Sequence, residues 1–276
     1  MDVLIVGGGA AGLTLARVLA RRGISCKLFE QRVRRLDRGL GLWPRSQHVL
    51  RSLGVDVAAH CVRPAAYRAR SGAWLSSAPD TAHYARTVAT LRESELLAAL
   101  ARGLPADAIV TGPGTRLVSA AETDDSIVVE TADGSRHVGA ALVGADGVHS
   151  TVRRLIFGSP AVDTGYVSHS GILTAPPFGV PAPFETLSGG NRFALVPLGR
   201  GDCFWFATRL ASAATAGVGP EALADLRQAY DTWHGPIRDC LAHVVECDDA
   251  AAGATGADDS DAPSSGADGG SSAGAV

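Results

Sequence analysis

The first thirty residues constrain this chain most. Val3-Leu4-Ile5-Val6 runs into Gly7-Gly8-Gly9-Ala10-Ala11-Gly12, a helical pattern continues to Arg22, and Leu28-Phe29-Glu30 follows. The order is strand, glycine turn, helix, strand, acid. Gly7 permits a tight turn, Gly9 lets the backbone approach a phosphate, and Gly12 lets the helix pack close to the sheet. The helix start offers unpaired N–H donors and the positive end of a dipole. Glu30 ends the second strand, where a carboxylate can accept both hydroxyls of a ribose and disfavours a 2′-phosphate. This arrangement suits an adenine dinucleotide.

At 276 residues the chain can bury a large core and form two subdomains. The net charge is −3, but it is unevenly spread. From Asp248 onward there are six Asp and no Lys, Arg or Glu, so without that tail the body carries +3. This balance predicts affinity for neither nucleic acid nor membranes. Residues 248–276 hold no aromatic, Leu or Ile and cannot bury enough apolar area to offset their ordering entropy. A disordered low-complexity tail is expected there. The five cysteines are scattered, with no C-x-x-C pair, and the eight histidines show no metal spacing. A metal site is therefore not expected. The apolar start lacks a basic leader and no run is long enough to span a bilayer, so the expected location is cytoplasmic.

Further along, Pro44-Arg45 opens a helix closed by Gly54, and Leu91-Arg92-Glu93 leads into a helix through Leu104. Three alternating segments, 117–121, 126–131 and 137–144, read as antiparallel strands inserted in a parallel sheet. Ala141–Gly147 ends an apolar strand on the turn Gly144-Ala145-Asp146-Gly147, before a helix at 149–157. Segments 165–174, 183–188, 191–198 and 202–210 read as a separate sheet, followed by helices over 220–234 and 236–247. Phe193, Phe204, Trp205 and Phe206 are expected to cover one sheet as core. No G-x-S-x-G elbow is present, which argues against a hydrolase.

Three segments resemble the flavin-dependent aromatic hydroxylases, the group A monooxygenases of the p-hydroxybenzoate hydroxylase type. They are Gly7–Gly12 with Glu30; Gly144-Ala145-Asp146-Gly147 followed by Ser150 and Val152-Arg153; and Pro44-Arg45 with Leu91-Arg92. The likeness covers roughly residues 1–235. It implies an α/β fold: a Rossmann-like FAD-binding domain (1–63 and 86–161) carrying a three-stranded antiparallel insertion. A β-sheet substrate domain would take residues 64–85 and 162–247.

The resemblance implies FAD as cofactor, with Gly7, Gly9, Ala10, Ala11, Gly12, Glu30, Gln31, Arg45, Arg92, Asp146 and Gly147 contacting it. NAD(P)H, O2 and a small molecule would be co-substrates. The implied reaction is hydroxylation or epoxidation of an electron-rich substrate through a C4a-hydroperoxyflavin. No side chain is marked as a catalytic acid or base. Arg153 is a candidate contact to the nicotinamide cofactor or to a pyrophosphate. The family's third motif, a Gly-Asp at a strand end leading into a helix, has Gly201-Asp202 as its only candidate nearby. It fails, because Cys203-Phe204-Trp205-Phe206 continues as a strand. The chain therefore reads as truncated. A dehydrogenase of the same fold and a non-catalytic FAD-binding homologue stand as alternatives.

Overall fold

The computed structural model describes residues 2–32, 37–62, 66–76, 88–214 and 219–252. Strand β1 (Asp2–Val6), helix α1 (Ala10–Arg21) and strand β2 (Cys26–Glu30) open the chain. Then come β3 (Gly39–Leu42), α2 (Pro44–Ser52), β4 (Cys61–Val62), β5 (Ala66–Ala69), β6 (Val88–Arg92), α3 (Glu93–Ala101) and β7 (Ile109–Thr111). The middle holds β8 (Leu117–Glu122), β9 (Ile127–Thr131), β10 (Arg136–Gly144) and α4 (Thr151–Phe157). Strands β11 (Tyr166–Leu173), β12 (Phe184–Ser188), β13 (Asn191–Gly199) and β14 (Asp202–Leu210) precede α5 (Pro220–Tyr230) and α6 (Gly235–Ala252).

Three sheets result. The largest has the order β7-β2-β1-β10-β9-β8. Its β7, β2 and β1 are parallel, and β1 pairs in parallel with the second half of β10, Leu4 opposite Leu142. The first half of β10 pairs antiparallel with β9. One strand thus belongs to both the parallel sheet and the inserted meander. The apolar run Val3–Val6 is explained by burial on both faces. Ile5 packs with Leu13, Ala16, Leu96 and Leu100 on one side. Leu4 and Val6 pack with Phe29, Leu117, Val129 and Val152 on the other. Arg17 on α1 ties the helical layer together, donating to the carbonyls of Leu53, Ala99 and Leu100 at 2.9–3.1 Å.

The second sheet has the order β11-β14-β13-β12-β5. Strand β5 joins it through a parallel pairing with β12. Alternation along β14 puts Cys203, Trp205 and Ala207 against α5 and α6, in one core with Phe193, Tyr230, Trp233 and Ile237. Phe193 stacks on Trp205 with ring centroids 6.0 Å apart, 8° from parallel. Phe204 and Phe206 face the opposite way and are only half-buried. The expectation that all four aromatics cover the sheet as core is corrected for Phe204 and Phe206: residues 204 and 205 are neighbours on one strand, so their side chains lie on opposite faces, and only Phe193 and Trp205 of the four join this core.

The third sheet, β3-β6-β4, is a ribbon between the other two. The β13–β14 hairpin docks on it: Thr90 donates through Oγ1 to the Pro197 carbonyl at 2.6 Å. Gly39 leaves room for Phe204, whose ring a Cβ there would meet at 2.3 Å.

Two boundaries differ from expectation. The helix expected through Leu104 ends at Ala101. The tail expected to lose structure at 248 is helical to Ala252, because α6 runs past Cys247. Residues 253–276 of the expected tail, and 64–65 and 77–85 of the first segment of the expected substrate domain, lie outside the described residues.

Candidate functional site

A crevice of about 400 Å³ opens where β1, β2 and β10 deliver their C-terminal ends to one place. Gly7, Gly9, Ala10, Ala11, Glu30, Gln31, Asp146 and Gly147 line it. Ligand sites at the carboxyl ends of parallel strands are the rule for such sheets.

The turn from β1 into α1 is tight for steric reasons. Gly7 has φ +107°, and a Cβ there would lie 2.3 Å from the Ala145 carbonyl oxygen. Its amide donates to the Phe29 carbonyl at 2.8 Å, so neighbouring strands hold the turn on both sides. A Cβ on Gly12 would meet the Gly7 carbonyl oxygen at 1.9 Å. Gly12 does not line the crevice; it lets the helix sit against the turn.

Gly9 is the N-cap of α1, with no capping side chain and no acid in the first helical turn. The first amides of a helix lack intrahelical acceptors, so this end of α1 presents bare donors and a positive dipole end to the crevice.

Glu30 accepts from the Gly8 amide at 2.7 Å through Oε2 and from the Arg32 amide at 2.8 Å through Oε1. The two amides fix its carboxylate at the rim, beside Gln31.

Asp146 follows the end of β10. Its Oδ2 accepts from the Thr151 and Val152 amides at 2.6 and 3.2 Å, and its Oδ1 from the Ser150 hydroxyl. Ser150 Oγ in turn accepts the Arg153 amide at 2.9 Å, capping α4. Asp146 thus staples the start of α4 to the crevice floor. A carboxylate offers about four acceptor positions, so Oδ1 keeps one in reserve. Gly147, with φ +77°, completes the turn.

The arginines fall elsewhere than the sequence suggested. Arg45 is exposed on the first turn of α2 and does not line the crevice. Arg92 points away from it, toward the five-stranded sheet. Arg153 donates to the carbonyls of Val148 and Ser159 at 2.7 and 3.2 Å, binding the loops around α4.

Arg38, which sequence reasoning passed over, does line the crevice, together with Arg32, Arg116 and His149. It pairs with Glu93 through two bonds, at 2.6 and 3.0 Å, and its side chain is still 61% exposed. The Glu93 hydrogen bonds raise the Arg38 pKa above its ordinary value. The missed signal was its place: Arg38 directly precedes β3, whose pairing with β6 continues outward into the Arg38 carbonyl accepting the Glu93 amide at 2.8 Å.

Residues 1–179 match the family model of the FAD binding domain, and the chain belongs to that family. It is 35% identical over 253 residues to an aurachin C monooxygenase/isomerase of Stigmatella aurantiaca, covering 86% of this chain and 64% of that protein. It is 32% identical to a 3-amino-4-hydroxybenzoate 2-monooxygenase of Streptomyces cremeus, covering 86% and 63%. The chain therefore spans just under two thirds of the length of these relatives. The fold matches HpxO of Klebsiella pneumoniae, solved with FAD and uric acid, at TM-score 0.72 and 26% identity, over 88% of this chain and 64% of that one. Among the described residues, no helix is long and apolar enough to cross a membrane.

Proposed function

We propose that this chain binds FAD in the β1–α1 crevice and contributes the cofactor and substrate sides of an FAD-dependent monooxygenase. That enzyme would hydroxylate or epoxidise an aromatic or other electron-rich small molecule, with NAD(P)H as reductant and O2 as oxidant. One observation carries the cofactor reading: the uncapped N-terminus of α1 faces the same crevice as a carboxylate, Glu30, pre-positioned by two amides. The names of the relatives support the reaction class.

The residues present fit the cofactor. Amides of Gly9, Ala10 and Ala11 would take the diphosphate, with Gly7 and Gly12 allowing its approach. Glu30 would accept the ribose hydroxyls beside Gln31, and Arg38 would add a cation to the anionic stretch. The free acceptor position on Asp146 would take a cofactor hydroxyl next to Gly147. FAD supplies the redox chemistry once bound; the protein supplies binding, orientation and exclusion of water. The open face of the five-stranded sheet, with Phe204 and Phe206 half-buried, would form the apolar wall on the substrate side.

A second reading, FAD binding without turnover, is favoured by β14. Gly201-Asp202 leads into a strand, so this pair does not form the family's strand-to-helix motif.

Titration of FAD with the purified chain, followed by quenching of flavin fluorescence, tests the cofactor reading. Saturable quenching is expected, weakened about tenfold in Glu30→Gln, the loss of a charge-assisted hydrogen bond. Absence of quenching by the native chain would refute it. Formation of an oxygenated product from aromatic acids with NAD(P)H separates turnover from binding alone.

A further inference from the structure

The β6–α3 junction is charged on both sides. Arg92 and Glu93 are consecutive and point apart: Glu93 meets Arg38 at the crevice, and Arg92 crosses to the substrate sheet. The Arg92 guanidinium donates to Asp202 Oδ2 from NH2 at 2.7 Å and from Nε at 3.2 Å. Its NH1 reaches Asp37 Oδ2 at 3.2 Å, and NH2 reaches Thr174 Oγ1 at 3.3 Å.

The two carboxylates are not equivalent. Asp37 is already engaged at the start of α3, accepting from the Ser94 amide at 3.0 Å and the Ser94 hydroxyl at 2.8 Å. Asp202 is the more buried of the two. Among the described residues, Arg92 is the one side chain it pairs with. A buried carboxylate needs such a partner.

Asp202 directly follows the β13–β14 turn: Gly199 pairs with Asp202, and Arg200 and Gly201 between them have φ of +54° and +82°, the positive pair that a two-residue hairpin turn takes. The hairpin is docked by Thr90 on Pro197, Phe204 on Gly39 and Asp202 on Arg92.

We propose that Asp202 is a positioning residue. It draws the Arg92 guanidinium across to the substrate sheet, so joining the two sheets, and keeps this cation off the dinucleotide. The second half of this inference rests on the FAD reading above. The cluster of one guanidinium and two carboxylates carries net negative charge beside a crevice suited to a dianionic diphosphate. Removing the Asp202 charge both lowers that repulsion and releases Arg92 toward the anion.

The test is a cycle of Asp202→Asn, Arg92→Gln and the double variant in the full chain. FAD dissociation constants are read by fluorescence quenching, and thermal midpoints are read without added FAD. Asp202→Asn is expected to tighten FAD binding by about threefold or more, as for one nearby charge in a screened setting. The gain should vanish in the double variant, whose cluster has the native net charge, and Arg92→Gln alone, which makes the cluster more negative by one charge, should weaken binding by a similar factor. The thermal midpoints should be non-additive, with the double variant close to either single one. Unchanged or weaker FAD binding in Asp202→Asn overturns the proposal, because a purely structural joint predicts that result. If the native chain does not quench FAD, the cofactor reading fails. The midpoints then decide the joint by themselves, and additive losses would overturn it. Should Asp202→Asn not fold, Asp202→Ser takes its place in the cycle.

Discussion

Gly12→Ala is the substitution whose outcome separates this structure from ordinary helix physics. Position 12 lies inside α1, where replacing Gly by Ala normally gains about 1 kcal/mol in helix propensity. Here the new methyl would lie 1.9 Å from the Gly7 carbonyl oxygen, short of ordinary contact at 3.4 Å by about 1.5 Å. Gly7 has little room to retreat. Its amide is bound to Phe29 at 2.8 Å, and the space where its Cβ would stand is taken by the Ala145 carbonyl oxygen, 2.3 Å away. The displacement must therefore be shared by β1, β2 and the turn after β10. Overpacking of this kind costs typically 1–3 kcal/mol. We expect a net loss of up to about 2 kcal/mol in place of the usual gain, a fall in thermal midpoint of up to roughly 8 °C for a chain this size. The moved part is the donor array of α1, so FAD affinity should fall at least about tenfold, the loss of one charge-assisted hydrogen bond. Differential scanning fluorimetry and flavin quenching measure the two effects. A Gly12→Ala chain as stable as native, with undiminished quenching, would refute the steric argument.

Two further outcomes follow from burial. Trp205→Ala empties the core between the substrate sheet and α5–α6, where Trp205 is 3% exposed, and should cost about 3–5 kcal/mol in denaturant unfolding; a loss under about 1 kcal/mol would place this side chain elsewhere. His234 bonds Thr186 Oγ1 at 2.8 Å, and burial, with Arg68 adding to it, holds the imidazole pKa below its ordinary value. The folded state thus disfavours protonation. The stability tied to neutral His234 is fully present above about pH 6.5 and is lost as pH falls through the depressed value. His234→Gln should flatten that part of the stability profile between pH 8 and 5; an unchanged slope would disprove it.

The opening turn was legible because the residues that mark it are local, although the Ala145 wall behind Gly7 is not. Strand, glycines, helix and acid lie within thirty residues, and each has a steric or electrostatic reason to stand where it does. The strands of the second sheet were legible from alternation, but the faces of their aromatics were misjudged. Phe204, Trp205 and Phe206 read as one apolar block until register with β13 sorts them. Arg92 was legible as a cation at a helix start that needs an anion nearby. Which anion it meets depends on Asp202, a hundred and ten positions away in sequence. Arg38 carried no local mark at all, because β3–β6 pairing decides that it reaches the crevice. Asp146 shows both levels at once: its turn was visible, whereas its bonds to the α4 amides needed coordinates.

The dual allegiance of β10 bears on how such a chain comes to be built. The hairpin of β8, β9 and the first half of β10 can zip locally. The second half must find β1, with Leu4 meeting Leu142 across nearly half the sequence. Long-range parallel pairing of this sort is slow. During synthesis, the β1–α1 turn would wait without its Ala145 buttress until that strand left the ribosome, with Leu4 and Val6 uncovered meanwhile. A nascent chain halted before residue 145 should therefore be a client for chaperones, however complete its first βαβ unit looks.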